Sequence, residues 1–226
     1  MHYIKNYTSL LLFISCFIIN AQNNFQNFGE SAFALNHSVS QKYKVNFALR
    51  SRYYLFKKGS ILYKQRQIDI FHFSTYKLNY HHDLSLGIYY GSRGFFDEGS
   101  NEYRITQQFN YKHQKLSIRY GHRFRAEQRI LETRTIFRQR YRFSVDFPLN
   151  GEKLNIGESY LVATAEGLLN LGKNRKPEID QRTTLQIGFQ VSENLKLQTG
   201  LDCRLEAINI RTNKLLFLLT TAILKI

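Results

Sequence analysis

Apolar and polar residues alternate with a period of two along most of the chain, and helical periodicity is scarce. Neighbouring side chains of a β-strand point to opposite faces, so this period is typical of strands that differ on their two sides. The alternation divides the chain into eleven segments, at residues 25–39, 43–55, 66–80, 83–94, 101–113, 115–129, 133–147, 153–166, 180–192, 194–206 and 214–226. We therefore predict an all-β fold in a single domain.

Two successive segments carry arginines on one face and apolar residues on the other. In residues 115–129 the polar face holds Arg119, Arg123, Arg125, Glu127 and Arg129, opposite Leu116, Ile118, Tyr120, His122 and Phe124. In residues 133–147 it holds Arg134, Arg138, Arg140 and Arg142, opposite Phe137, Tyr141, Phe143, Val145 and Phe147. A soluble sheet would bury the apolar face in a core, whereas a membrane barrel turns it to lipid and the arginines to the lumen.

The N-terminus favours the membrane alternative. Residues 1–21 have the order of a secretory signal peptide, with Lys5 near the start, an apolar run at Leu10–Ile19 and the small residue Ala21 at the end. The apolar run is shorter than the roughly 20 residues that a transmembrane helix needs. We therefore predict signal-directed export, followed by a barrel of residues 22–226 in the outer membrane of a Gram-negative cell.

The expected architecture is a single antiparallel transmembrane β-barrel of about twelve strands. Single-chain bacterial barrels have even strand numbers, so eleven segments suggest one strand merged or missed in the N-terminal third. Ten strands are the alternative if residues 25–39 do not form a full spanning strand. A soluble, exported β-sandwich is the other architecture that the alternation allows.

The breaks between segments predict short turns at one rim and longer loops at the other, as in outer-membrane barrels. The short turns include residues 147–151, and the longer connections include residues 56–65. Aromatic residues near the strand ends, among them Tyr54 and Tyr89, are predicted to form girdles at the membrane surface.

Charge gives the lumen its predicted character. The chain has 32 Lys and Arg against 17 Asp and Glu, for a formal net charge of +15. The predicted lumen lattice consists of Glu102, Arg104, Arg119, Arg123, Arg125, Glu127, Arg129, Arg138, Arg140, Arg142, Glu166 and Arg182. Such a lattice either closes a structural barrel with ion pairs or, where arginines exceed acids, forms a narrow porin-like passage preferring acidic solutes or oligosaccharides.

Other functions have weaker support in the sequence. No serine stands with a base and an orienting acid, so a lipid- or glycan-modifying enzyme is an unfavoured alternative and no catalytic residue is predicted. The adjacent histidines His81 and His82 would point to opposite faces of a strand, so we predict no metal site and no cofactor. Export argues against nucleic-acid binding. The expected partners are outer-membrane lipid and anionic small solutes or glycans, bound by a monomer.

The order of polar residues resembles that of the DUF2490 family. The resemblance rests on Glu102-x-Arg104 with Gln107-Gln108, on Arg119-x3-Arg123-x-Arg125-x-Glu127-x-Arg129, on the arginines up to Arg142 before Pro148, on Ala165-Glu166 and on Asp180-Gln181-Arg182. Members of this family are uncharacterised outer-membrane β-barrel proteins, best represented among Bacteroidetes and Proteobacteria. The resemblance implies a barrel fold and an outer-membrane location, and it brings no catalytic residue or substrate.

Overall fold

The computed structural model describes residues 26–57 and 59–226, so the predicted signal at residues 1–21 lies outside the described residues. The strands are β1 (Gln26–Ser38), β2 (Tyr43–Lys57), β3 (Ser60–Lys77), β4 (His82–Ser92), β5 (Glu102–Lys115), β6 (Ile118–Leu131), β7 (Thr135–Pro148), β8 (Ser159–Gly172), β9 (Glu178–Gln190), β10 (Leu195–Glu206) and β11 (Asn213–Lys225). None of the described residues belongs to a helix long and apolar enough to cross a membrane.

The strands form one closed barrel in which each strand contacts its two neighbours. Consecutive strands pair antiparallel, and β1 pairs with β11 in parallel, from Gln26 opposite Leu215 to Asn36 opposite Lys225. The predicted all-β barrel is confirmed, with eleven strands among the described residues where about twelve were expected. With an odd number of alternating strands the first and last run in the same direction, so a parallel pair closes the barrel and no twelfth strand is needed.

The connections alternate between two rims. One rim, here called the arginine end, carries Gly59 and residues 93–101, 132–134, 173–177 and 207–212; the other, the lysine end, carries residues 39–42, 78–81, 116–117, 149–158 and 191–194. The predicted connection lengths were wrong at residues 56–65 and 147–151, and the connection at residues 132–134 is no longer than most turns of the lysine end. A tight turn with Gly59 at a φ of 82° joins β2 to β3, because both strands extend further than their alternation indicated. Residues 149–158 form a longer loop, so β8 begins later than the predicted 153–166 segment.

The two faces of the barrel differ along most of the sheet. Apolar residues of the outer face are largely exposed, as at Leu86 on β4, Phe124 on β6 and Ile187 on β9. Residues of the opposite parity on the same strands include the buried polar side chains Ser85 and Glu127. Along most of these strands the sheet therefore has an apolar exterior and a polar interior.

The interior next to the parallel pair is an exception. Phe28, Tyr54, Phe217 and Leu219 are buried together with Leu215 beside them, and we call these five residues the seam cluster. The ring centroids of Phe28 and Phe217 lie 4.9 Å apart in a stacked arrangement. The cluster explains why β11 is apolar on both parities.

The predicted girdle position was wrong for Tyr54 and Tyr89, both of which are buried. Tyr54 shares the parity of Arg50 and Arg52 on β2, so it points inward with them. Tyr89 donates its hydroxyl to Asp69, at 2.8 Å, inside the barrel. Inside the barrel each tyrosine hydroxyl has a carboxylate as its hydrogen-bond partner, so neither ring needs the polar headgroup region of a membrane for this purpose.

Candidate functional site

A cavity of about 790 Å³ occupies the interior toward the arginine end. Among the residues that the structure describes, its lining holds about twice as many arginines as carboxylates, and no lysine. These side chains come from the inward parity of the strands, where the sequence alternates arginine with apolar residues. The cavity is therefore a strongly basic chamber, and its chemistry depends on how the carboxylates are distributed among the guanidinium groups.

Glu127 lies at the centre of the arginines on β5, β6 and β7. Its Oε1 accepts a hydrogen bond from Arg140, at 2.9 Å, and a longer one from Arg125, at 3.4 Å. The guanidinium groups of Arg104 and Arg138 lie 4.0 Å from its Oε2. Glu127 is only 3% exposed, so it acts as the common counter-ion of four arginines.

Glu102 and Glu166 each engage two arginines. Glu102 accepts paired hydrogen bonds from Arg104, at 2.5 and 3.0 Å, and from Arg129, at 2.6 and 3.0 Å. Glu166 accepts one from Arg123, at 2.8 Å, and one from Arg140, at 2.6 Å. These bonds join residues on the same or nearby strands, so the ion pairs run around the wall and leave the cavity between the walls.

A second group of ion pairs involves two acids that the sequence interpretation missed. Glu30 accepts from Arg52 at 2.6 Å and lies 3.4 Å from Arg204, across the closing pair of strands. Asp69 forms an ion pair of 2.6 Å with Arg50. The signal for Asp69 was present, because it stands between Ile68 and Ile70 on the polar parity of β3.

Several guanidinium groups lie over aromatic rings of the wall. The guanidinium carbon of Arg104 lies 4.1 Å from the ring centroid of Tyr89, and that of Arg204 lies 3.7 Å from Phe217. Arg66 stacks on Phe28 at 4.6 Å. Such cation–π contacts fix the orientation of the cation and leave some of its N–H groups for other partners.

Comparison with known proteins places this barrel in a family. A family model described as "Protein of unknown function (DUF2490)" matches residues 31–205, which is most of the chain. The chain belongs to the DUF2490 family. No curated protein and no solved structure matches it. The matched range includes Arg104 to Arg182 and therefore most of the arginine-lined wall of this DUF2490 protein.

The predicted lattice residues of the DUF2490 chain do not all meet in one place. Eleven of them lie in or beside the cavity, and Arg119 does not. Arg119 stands near the lysine end, where it pairs with Asp146 and its side chain is 51% exposed. It shares the parity of Arg123, but it lies closer to the end of β6, so distance along the strand separates it from the cavity.

The lysine end holds a second cavity, of about 680 Å³, whose basic lining is mostly lysine. Its cations are Lys44, Lys77, Lys112, Arg123, Arg142, Lys196 and Lys225. Arg123 and Arg142 also line the first cavity. These two arginines, which are paired in register on β6 and β7, therefore form the layer between the two chambers.

The loop at residues 93–101 lies against the mouth of the first cavity, which Gly99 and Ser100 help to line. Tyr54 donates a hydrogen bond of 2.7 Å to Asp97 in this loop. The guanidinium of Arg93 lies 3.9 Å from the same carboxylate. The loop is thus tied to the seam cluster at the arginine end.

The histidines from His37 to His122 lie outside the main cavity. His122 bonds the hydroxyl of Tyr141 at 2.8 Å on the outer face, and His82 bonds Asn79 in a turn at 3.0 Å. Among residues 26–57 and 59–226, no group of three or more His, Cys, Asp or Glu side chains is arranged to hold a metal ion. The chemistry that the cavity supports is anion recognition by guanidinium groups.

Proposed function

We propose that this protein is an outer-membrane β-barrel whose lumen admits small anions and passes them between the two chambers. The observation that carries the proposal is an apolar exterior that encloses an arginine-rich cavity. Neither half of this arrangement is expected of a water-soluble protein, and together they are typical of a membrane barrel with a charged lumen.

The exterior supports the membrane location. Leu84, Leu86 and Ile88 on β4 are between 48% and 64% exposed, and outward residues such as Leu201 on β10 and Leu218 on β11 are each 48% exposed. Soluble monomers seldom leave contiguous apolar areas of this kind in water. Outer-membrane lipid is the partner that would cover this surface, and the predicted signal at residues 1–21 would supply the route.

The interior supports anion preference. Because the cavity has about twice as many arginines as carboxylates, ion pairing leaves a positive excess along its length. The lysines of the second chamber extend this field to the other end. Clustered like charge in a narrow, poorly screened space attracts counter-ions and repels cations.

A closed structural barrel is the second candidate. It is favoured by the layer of Arg123 and Arg142 between the chambers and by the loop at residues 93–101 against the mouth. In this alternative the ion pairs stabilise the sheet and the chambers do not communicate.

Conductance separates the two candidates. The protein folded in detergent would be inserted in a planar bilayer, and its single-channel current and reversal potential measured under a KCl gradient. Steps with an anion-selective reversal potential support the passage. A barrel that inserts and shows heat-modifiable mobility in gels but passes no current supports the closed structure.

Two variants link selectivity to the layer between the chambers. Replacing both Arg123 and Arg142 with Gln should shift the reversal potential toward that of an unselective pore. The double variant Lys176→Gln, Arg211→Gln is the matched control, because it removes the same number of charges from the exposed loops at residues 173–177 and 207–212. Equal shifts in both variants would show that net charge of the whole protein, and not the layer, sets selectivity.

A further inference from the structure

Arg142, Glu166 and Arg182 form a row across three strands. Arg142 on β7 is paired in register with Glu166 on β8, and Glu166 is paired with Arg182 on β9. All three point into the barrel and line the cavity of about 790 Å³. A glutamate between two arginines would ordinarily neutralise its neighbours.

Glu166 bonds other arginines instead. Its two oxygens accept from Arg123, at 2.8 Å, and from Arg140, at 2.6 Å. Within the part of the chain that the structure describes, Arg142 and Arg182 have no carboxylate oxygen within 4.0 Å and no hydrogen bond, and the Nε atom of each is buried without a partner. The Nε atoms of Arg123 and Arg140 are also buried without a partner, but these arginines donate to Glu166 through their Nη2 atoms, whereas Arg142 and Arg182 donate to no described group. Because buried donors in native proteins are nearly always satisfied, Arg142 and Arg182 are the guanidinium groups beside Glu166 that are available to a ligand.

We propose that Arg142 and Arg182 form a binding site for a small oxyanion, of which a phosphate group is the preferred kind. This inference rests on the proposed function, because the ligand is an anion that enters the lumen. A guanidinium group binds phosphate or carboxylate oxygens through two parallel N–H bonds, and two such groups favour a doubly charged anion over a singly charged one. Glu166 does not prevent binding, since Arg123 and Arg140 already compensate its charge.

The surroundings allow more than inorganic phosphate. The same cavity is lined by Leu215, Phe217 and Leu219 of the seam cluster, on a wall distant in the strand order from β7. Its volume exceeds that of a phosphate ion, so a phosphate ester with a small organic group fits the same site. The ester and the free ion share the chemistry that the two arginines recognise.

Phosphate binding can be measured without any assumption about transport. The protein folded in detergent micelles would be titrated with inorganic phosphate and with glycerol phosphate, followed by calorimetry and by the ³¹P NMR signal. The double variant Arg142→Gln, Arg182→Gln should bind at least about tenfold more weakly, because it loses charge-assisted hydrogen bonds from two guanidinium groups. Arg211→Gln should bind like the unaltered protein, and replacement of both arginines with Lys should restore part of the affinity.

The outcomes are distinguishable. Saturable phosphate binding that the double Gln variant loses supports the site, and tighter binding of glycerol phosphate identifies an ester as the ligand. If phosphate binding does not saturate, or if the double variant and Arg211→Gln weaken binding equally, the proposed site is wrong. Phosphate is then attracted only by the overall positive charge of the lumen. Circular dichroism and heat-modifiable mobility establish that each variant is folded. Phosphate binding without any current would support the site and contradict the proposed passage. Conductance without phosphate binding would support the passage and contradict the site.

Discussion

The wall formed by β5–β9 and the seam cluster beside β1 and β11 are filled in opposite ways. The wall places arginines inward and satisfies many of them with Glu102, Glu127 and Glu166. The seam cluster instead buries stacked aromatic rings next to the parallel pair. Apolar packing has no net charge to compensate, so it suits the closure of the barrel, whereas the arginine wall retains charge that a ligand can use. We infer that stability is concentrated at the seam and binding capacity at the wall.

The largest expected effect is at the seam. Phe217→Ala should lower the free energy of unfolding by about 3–5 kcal/mol, because the removal of a buried phenyl ring leaves a cavity that its neighbours fill incompletely. Phe217 is 1% exposed and contacts Phe28 in a stack. The measurement is urea unfolding of the folded protein in detergent.

Leu218→Ala is the control for this prediction. Leu218 is the next residue on β11, faces outward and is 48% exposed, so its truncation creates no internal cavity. A loss in Leu218→Ala as large as that in Phe217→Ala would mean that the outer face and not the seam holds the closing strands together.

A smaller loss is expected at the wall. Glu127→Gln keeps the shape of the side chain and removes the charge shared by four arginines, so the free energy of unfolding should fall by about 1.5–3 kcal/mol. The same urea titration measures it, with Glu132→Gln in the exposed connection at residues 132–134 as the matched control. An unchanged midpoint in Glu127→Gln would indicate that lumen water or bound anions already screen these arginines.

The contact between the seam and the loop should depend on pH. Burial alone would raise the pKa of Asp97, but the hydrogen bond from Tyr54 and the charges of Lys57 and Arg93 hold that pKa below its ordinary value. A carboxyl group with a lowered pKa in the folded state contributes stability above its unfolded pKa of about 4 and loses it as the pH falls through the folded value. The protection factors of the amide hydrogens in residues 94–99, which are corrected for the intrinsic pH dependence of exchange, should therefore be higher at pH 7 than below pH 4.

Tyr54→Phe tests this contact directly. The variant keeps the ring that packs 5.1 Å from Phe28 and loses the hydroxyl that donates to Asp97. Exchange in the loop should become faster at pH 7, by roughly fivefold for a lost hydrogen bond of about 1 kcal/mol, and its pH dependence should weaken. Tyr90→Phe, on the outer face of β4, is the control. Equal exchange rates in Tyr54→Phe and Tyr90→Phe would show that the hydrogen bond from the seam cluster does not stabilise the loop.

The sequence predicted the alternation well where one parity is charged and the other is apolar. The inward parity of β5, β6 and β7 followed from the arginine and glutamate positions, and the eleven segments correspond to the eleven strands. The alternation could not show which face of β11 points inward, because that strand is apolar on both faces. It also did not show that Tyr54 and Tyr89 lie inside the barrel. An aromatic ring with a hydroxyl group is suited both to a membrane surface and to a polar interior, so its type alone does not choose between them.

The sequence pattern also could not predict which arginines bond Glu166, for a different reason. Register places Arg142 and Arg182 beside it, but long arginine side chains reach along the strands as well as across them. Arg123 and Arg140 therefore compete for the same carboxylate and occupy it. Which guanidinium groups are satisfied depends on side-chain geometry in three dimensions, and this is what separates structural arginines from those available to a ligand.

The smallest expected effect on stability therefore comes with a large effect on binding. Arg142→Gln breaks no ion pair and removes a buried Nε that has no partner, so the free energy of unfolding should change by less than about 0.5 kcal/mol or rise slightly. Phosphate affinity should nevertheless fall, because one of the two proposed guanidinium ligands is gone. Urea unfolding and phosphate titration of the same sample measure both quantities. A marked destabilisation with unchanged phosphate affinity would show that Arg142 stabilises the wall and does not bind the anion. The arginines that attract anions would then lie in another part of the lumen.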